Sequence, residues 1–409
     1  MRQGEYPLVY DGGMMQTTPT YDAANGLVPG TPDVRGRLAY FSAQAVVEGQ
    51  DSWAAVMEVV GAMRSADWDV EIFCPEYPSG ARPGVLTRLR AIGSATRRLG
   101  QAIRSFDALY VRAHPLAWGA ARRADKAGLP VIHEVNGSWD DAFAAWPWTR
   151  AAAPVVIAAQ RAQYRSAAAL IAVSEGIAGW LEQVTGRSDV VVSPNGANAR
   201  LFRPGLPKPQ RLPETYVVFF GQFAPWQRID VLLEAHGCPS WPADVHLVIV
   251  GDGAARPLVD QAAARDERIY VLGMLPYADV APVVASALAA AVLTYAPERA
   301  GYSPLKLYEA MACGVPVICS DTPGQAEYVR AEQAGIVVPP LDPDAVAGAV
   351  AELAADPARA REMGARGRQA IEERYSWEAR ALQRLGVVEE VVDGRRARDQ
   401  ARGARSSGT

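Results

Sequence analysis

From residue 37 onward, short apolar runs alternate with longer stretches in which apolar side chains recur every three or four positions. The runs at 37–42, 70–74, 107–112, 131–135, 169–173 and 189–192 predict strands. Stretches at 53–66, 118–127 and 177–185 predict helices between them. A proline-rich passage, 203–213, interrupts the series and reads as a linker. Beyond it the alternation restarts, with strands at 216–220, 245–250, 269–271, 290–293, 315–319 and 335–338 and helices at 228–235, 255–265 and 305–313. Such alternation predicts parallel sheets wrapped by helices, and two series predict two doubly wound α/β domains. Open parallel sheets bind ligands beyond the carboxyl ends of their strands, so loops of both domains are expected to line a central cleft. Kinases and phosphorylases share this architecture, which by itself names no reaction.

The flanks and composition refine the picture. Residues 1–36 lack a hydrophobic period and are expected to form an extension, which leaves 37–212, 213–375 and a C-terminal helix with a tail, 376–409. A length of 409 residues exceeds one ordinary core, in agreement with two domains. Residues 1–13 show no basic start followed by an apolar core. The longest apolar stretch, 280–296, carries Pro282, Ser286 and Thr294 and reads as a helix running into a strand. The expected location is therefore cytoplasmic. Cys74, Cys238, Cys313 and Cys319 are too scattered for a zinc site and are expected as reduced thiols.

Charge is uneven along the chain. Between 37 and 213, 20 Lys and Arg face 15 Asp and Glu, a net of +5; between 214 and 380, 13 face 22, a net of −9. The first half suits an acidic acceptor or membrane surface better than the second. Within 83–106, Arg88, Arg90, Arg97, Arg98 and Arg104 interleave with Leu86, Leu89, Ile92, Leu99 and Ile103. That segment is either the solvated face of a packed helix or a contact with the inner face of a membrane. No nucleic-acid partner is expected.

Candidate chemistry concentrates in the second half. Gly251, Asp252 and Gly253 close a strand, where glycines either let backbone approach a ligand or make a plain tight turn. Gly301, Tyr302, Ser303 and Pro304 form a loop that opens a helix near Leu305, and amides at a helix start can hold a diphosphate. Lys306 adds positive charge in the first turn, one of three lysines against 38 arginines. Glu309, one turn beyond Leu305, could accept bonds from two ribose hydroxyls. The apolar run around it argues against a mere surface acid.

Residues 301–317 resemble the signature of the retaining glycosyltransferases of family 4, which have the GT-B fold. The stretch 221–235 is similar to that family's first donor loop, 251–253 to its second glycine turn, and 271–273 to its next strand end. Residues 172–174, 193–196 and 202–204 resemble the close of its N-terminal domain. Tyr375, Ser376 and Trp377 look like the start of a C-terminal helix that crosses back onto the first domain. The resemblance covers about residues 37–395. It implies metal-independent, retaining transfer from a UDP- or GDP-linked sugar to a hydroxyl acceptor (a glycan, a lipid-linked sugar or a natural product), with no other cofactor. Gly221, Gln222, Gln227, Arg228, Gly251, Asp252 and Gly253 would line the donor pocket. Lys306 and the loop from Gly301 to Leu305 would stabilise the leaving diphosphate, and Glu309 would hold the ribose.

The family's first loop usually carries an Arg and a Lys; Gln222 and Gln227 stand there, with Arg228 or Lys306 as substitute cations. The first of its paired glutamates would fall on Gly301, and Glu298 lies three residues early. These departures motivate an alternative, a non-catalytic relative that binds nucleotide or glycan or supports a partner enzyme. On the acceptor side, the resemblance points to Gly49 and Gln50 after the first strand. Asn136 stands where many members keep a histidine; Asn orients a hydroxyl but is a poor base. Glu134 neighbours it, Arg112 and His114 end another strand, and His133 is expected in the core. Asp67-Trp68-Asp69 lies between a helix and a strand, and His133-Glu134 lacks the second histidine of a zinc site, so no metal is expected.

Overall fold

The computed structural model describes residues 34–47, 51–77, 84–140, 143, 147–295, 301 and 303–406. The extension expected over 1–36 lies outside them up to residue 33. Six strands of the first half form a parallel sheet: β1 Gly36–Ser42, β2 Trp68–Phe73, β3 Ala108–Arg112, β4 Val131–Val135, β5 Ala169–Ala172 and β6 Val190–Val192, in the order β2-β1-β3-β4-β5-β6. Its helices are α1 Asp51–Ser65, α2 Val85–Ala102, α3 Trp118–Lys126, α4 Ala153–Ser166 and α5 Glu175–Thr185.

A second parallel sheet holds β7 Tyr216–Phe220, β8 His246–Val250, β9 Ile269–Gly273, β10 Ala289–Val292, β11 Val317–Ser320 and β12 Gly335–Val338, in the order β12-β11-β10-β7-β8-β9. Around it run α6 Ile229–His236, α7 Arg256–Ala263, α8 Tyr277–Ala285, α9 Leu305–Ala312, α10 Ala326–Glu332, α11 Pro343–Ala355 and α12 Pro357–Ala370. The inner strands are buried along their length, as β4 and β7 show. Strands covered by helices on both faces read as continuous apolar runs, which is why they stood out in the sequence. β11 starts two residues later than expected: Gly314, at φ 69°, turns the chain out of α9, and Pro316 has no N–H for a ladder.

The chain crosses between the halves a second time at its end. Ala197 N–H donates to Tyr375 O at 3.0 Å, and Trp377 N–H donates to Ala197 O at 3.1 Å. Helix α13, Trp377–Ser406, then lies on the first sheet. Its Trp377, Ala381, Leu385, Val388 and Val392 pack with Val56, Val59, Val60 and Met63 of α1. All four cysteines are free thiols. Among the described residues, no helix is long and apolar enough to cross a membrane.

Candidate active site

The chain leaves β7 through Gly221 into the turn Pro225–Gln227 that precedes α6. Tyr295 N–H, beyond β10, donates to Trp226 O at 3.1 Å and ties this turn to the end of β10. Lys306, second residue of α9, reaches the same place. Its ammonium lies 3.9 Å from the centre of the Phe219 ring and donates to Gln227 Oε1 at 2.8 Å. A cation over an aromatic face is attracted by the ring quadrupole. Phe219 and Gln227 thus place the Lys306 ammonium at the carboxyl end of β7. Helix α9 itself opens after Pro304, and among the described residues no side-chain cap closes its first turn. Leu307 N–H donates to Pro304 O at 3.1 Å; the amides ahead of it, which have no acceptor within a helix, and Lys306 together offer what an anion needs.

Glu309 follows on the next turn and is 6% exposed. Tyr277 Oη donates to its Oε1 at 2.9 Å, and the Tyr277 ring packs edge-on against Trp53 of α1 at 5.9 Å. Burial pushes the Glu309 carboxyl up to about 7; nearby Glu58 adds to the rise, while the Tyr277 bond and Lys306 offset part of it. Arg228 takes a left-handed conformation at φ 46°, and its Nε donates to Asp230 Oδ1 at 2.9 Å. Its charge is matched two residues away by Asp230. Gln222 is exposed on the loop.

Gly251 and Gly253 each stand against backbone of the loop after β7. A Cβ on Gly251 would stand 1.9 Å from the Gly221 carbonyl oxygen, and one on Gly253 would stand 2.8 Å from Phe223 N. The missing side chains let two protein loops lie against each other. Asp252 Oδ1 turns back to accept from Gly253 N–H at 2.8 Å. Glu298 and Tyr302 lie outside the described residues, as do Gly49 and Gln50. Gly301 is buried, and a Cβ there would sit 2.7 Å from Ser174 Oγ in the first half. Ser303 is bonded to Asn195, and the Leu305 side chain packs on the core of the first sheet. Gly301, Ser303 and Leu305 therefore rest on the opposite half.

On the first sheet, Arg112 and Glu134 sit side by side at the ends of β3 and β4. Glu134 is 1% exposed. It accepts from Tyr110 Oη at 2.7 Å, Arg112 Nη1 at 3.1 Å and Asn136 Nδ2 at 2.9 Å, with Arg384 Nη1 at 3.2 Å. Burial alone would push its carboxyl up, but Arg384 and Arg112 with the hydrogen bonds outweigh it and hold it below the usual value. Glu134 is thus an internal anchor instead of an acceptor contact; it aims Arg112 and Asn136. His114 Nδ1 accepts from Leu116 N–H at 3.1 Å, a local cap on the turn before α3. His133 is buried beside Tyr164, and burial pushes it down to about 4, as suits a core residue. Tyr277 and Arg384 were not singled out from the sequence, and Asn195 entered only as part of the 193–196 match, without a role. Arg384 left a signal there as a cation on the apolar stripe of Trp377, Ala381, Leu385 and Val388.

Two six-stranded parallel sheets flanked by helices, with Gly301 and Ser303 of the second half resting on the first, fit the GT-B class. Residues 214–356 match the family model described as glycosyl transferases group 1, and residues 54–201 match glycosyltransferase family 4. The chain belongs to the family 4 glycosyltransferases of GT-B fold. It is 37% identical over 228 residues to a phosphatidyl-myo-inositol mannosyltransferase of Mycobacterium leprae, covering 54% of this chain and 59% of that one. It is 40% identical over 93 residues to a GDP-mannose-dependent alpha-(1-6)-phosphatidylinositol monomannoside mannosyltransferase of Mycolicibacterium smegmatis, 23% of each chain. The matches thus span less than two thirds of these relatives. Among solved structures, sucrose-phosphate synthase of Thermosynechococcus elongatus superposes with a TM-score of 0.71 at 21% identity, covering 88% of this chain and 100% of that one. HepE of Anabaena with UDP gives 0.66 at 18% identity, covering 87% and 99%.

Proposed function

We propose that this chain moves a sugar from a nucleoside-diphosphate sugar to a hydroxyl acceptor, with retention at the anomeric carbon and without a metal. One observation carries the reading: the uncapped start of α9 with Lys306 held at the end of β7 and Glu309 one turn on. Lys306 and the helix start balance charge as the diphosphate leaves, and Glu309 accepts from the ribose hydroxyls. Arg112 and Asn136, aimed by Glu134, orient the acceptor hydroxyl or the sugar. The curated relatives' names make GDP-mannose the first donor to try, followed by UDP-linked sugars.

Calorimetry with GDP, UDP and GDP-mannose tests this. Binding is expected, weakened roughly tenfold or more in Lys306→Ala by loss of a charge-assisted contact. Slow hydrolysis of the donor should vanish in Glu309→Ala. Binding without turnover across donors and acceptors would mark a non-catalytic relative, and no binding would sink the proposal.

A second reading concerns location. The first residues of α2 stand clear of the body, with Val85, Leu86 and Leu89 exposed by 55%, 70% and 45%. Helix α2 carries Arg88, Arg90, Arg97 and Arg98 and no acid. An apolar tip on a basic helix fits the surface of an anionic membrane, and a lipid-linked acceptor would then be met there.

A further inference from the structure

The candidate diphosphate loop belongs to the second sheet but is shaped from the first. Asn195 lies in the strap after β6 and is 8% exposed. Its N–H donates to Ser303 Oγ at 2.9 Å, and its Nδ2 donates to Ser303 O at 2.7 Å. Both bonds reach one residue, two positions ahead of α9. Ser303 Oγ also lies 3.3 Å from Tyr308 Oη within that helix. The carboxamide has one workable orientation, because a flip would set Oδ1 against the Ser303 carbonyl.

The strap is itself fixed. Arg384 of α13 is 1% exposed. Its Nη2 donates to Ser193 O and Pro194 O at 3.3 Å each, and its Nε donates to Ser193 Oγ at 3.3 Å. Its Nη1 faces Glu134 at 3.2 Å. A guanidinium this buried needs a compensating anion, and Glu134 is the same carboxylate that aims Arg112 and Asn136. Residues 193 and 194 are thus held rigidly, and Asn195 is the next residue in the chain.

We infer that Asn195, fixed by the buried Arg384–Glu134 pair, is a positioning residue for the loop 301–305, so that nucleotide affinity depends on its carboxamide. This rests on the donor reading given above. Amides that grip an anion act only while held within about 0.5 Å of their working position, and two bonds to Ser303 supply that constraint.

The test compares wild type with Asn195→Asp, Asn195→Ala and Ser303→Ala. Calorimetry gives GDP and UDP affinity, melting gives stability, and hydrogen exchange follows the peptides over 301–312. Asn195→Asp, which turns the donor into an acceptor, should weaken nucleotide binding about tenfold or more. It should also speed exchange over 301–312 in the absence of nucleotide and leave the melting temperature within a few degrees. Ser303→Ala keeps its backbone carbonyl for Nδ2 and should lose less. If Asn195→Asp does not fold, Asn195→Ala carries the comparison. Wild-type affinity and exchange in the folded variants would overturn the inference. So would a lowered melting point with exchange raised evenly along the chain, the mark of a purely structural residue. If wild type binds neither GDP nor UDP, the donor reading fails, whereas faster exchange confined to 301–312 in the Asn195 variants still upholds the clasp.

Discussion

At Glu309 a carboxyl group sits among apolar neighbours with Tyr277 as its hydrogen-bond donor. Its pKa is raised from 4.5 to about 7, first by burial. A carboxyl that is harder to ionise in the fold than in the unfolded chain stabilises the fold fully below about 4.5 and loses that contribution as pH rises through about 7. The unliganded protein should therefore lose stability across this window, by on the order of 3 kcal/mol at most. Glu309→Gln should remove the slope, which denaturant titrations at low and neutral pH would measure. Ribose hydroxyls donate to the ionised form, so GDP affinity should rise with pH through the same window and stay low and flat in Glu309→Gln. A flat profile in wild type would take Glu309 out of the nucleotide site. Lys306 and Glu309 were legible because a loop, a helix start and an acid one turn on are close in sequence. The Tyr277–Glu309 and Asn195–Ser303 contacts were not, since each pair meets only through packing across 32 and 108 positions.

Among elements, the loops after β7 and β8 show what the paired glycines of the sequence lie against. The glycines at 251 and 253 mark a close approach, but the partner is backbone of the neighbouring loop. Gly251→Ala places a Cβ 1.9 Å from the Gly221 carbonyl oxygen at a φ of 130°, so the loops must move. The expected loss is about 2–4 kcal/mol of stability, read by denaturant unfolding. Intact stability with lost nucleotide binding would favour the ligand-approach reading. Nearly every strand was visible in the pattern, because burial on both faces makes a continuous apolar run. Helices α4 and α12 were not. α12 buries Ala360, Gly364, Gly367 and Ala370 with Met363, a face of small residues that lacks the bulk of an apolar stripe. α10 spans Ala326–Glu332 and is too short to show a period.

Across the whole molecule, exposed apolar side chains gather on the first half. Besides the tip of α2, Leu116, Trp118 and Val155 are 42%, 45% and 72% exposed, and they open the crossovers that leave β3 and β4. Cosedimentation with phosphatidylglycerol vesicles should capture the protein at low salt and release it as salt rises. Leu86→Glu with Leu89→Glu should abolish capture without changing GDP affinity; equal capture by the double variant would refute docking through α2. The path of α13 has a further effect on how the molecule is made. The second half is one uninterrupted stretch of chain, whereas the first sheet stays open on one side until Trp377 to Val392 arrive. During synthesis the second half can therefore close before the first, reversing the usual N-to-C order of maturation. Until those turns emerge, Val56, Val59 and Met63 lack Trp377, Ala381 and Leu385, part of the cluster in which they pack.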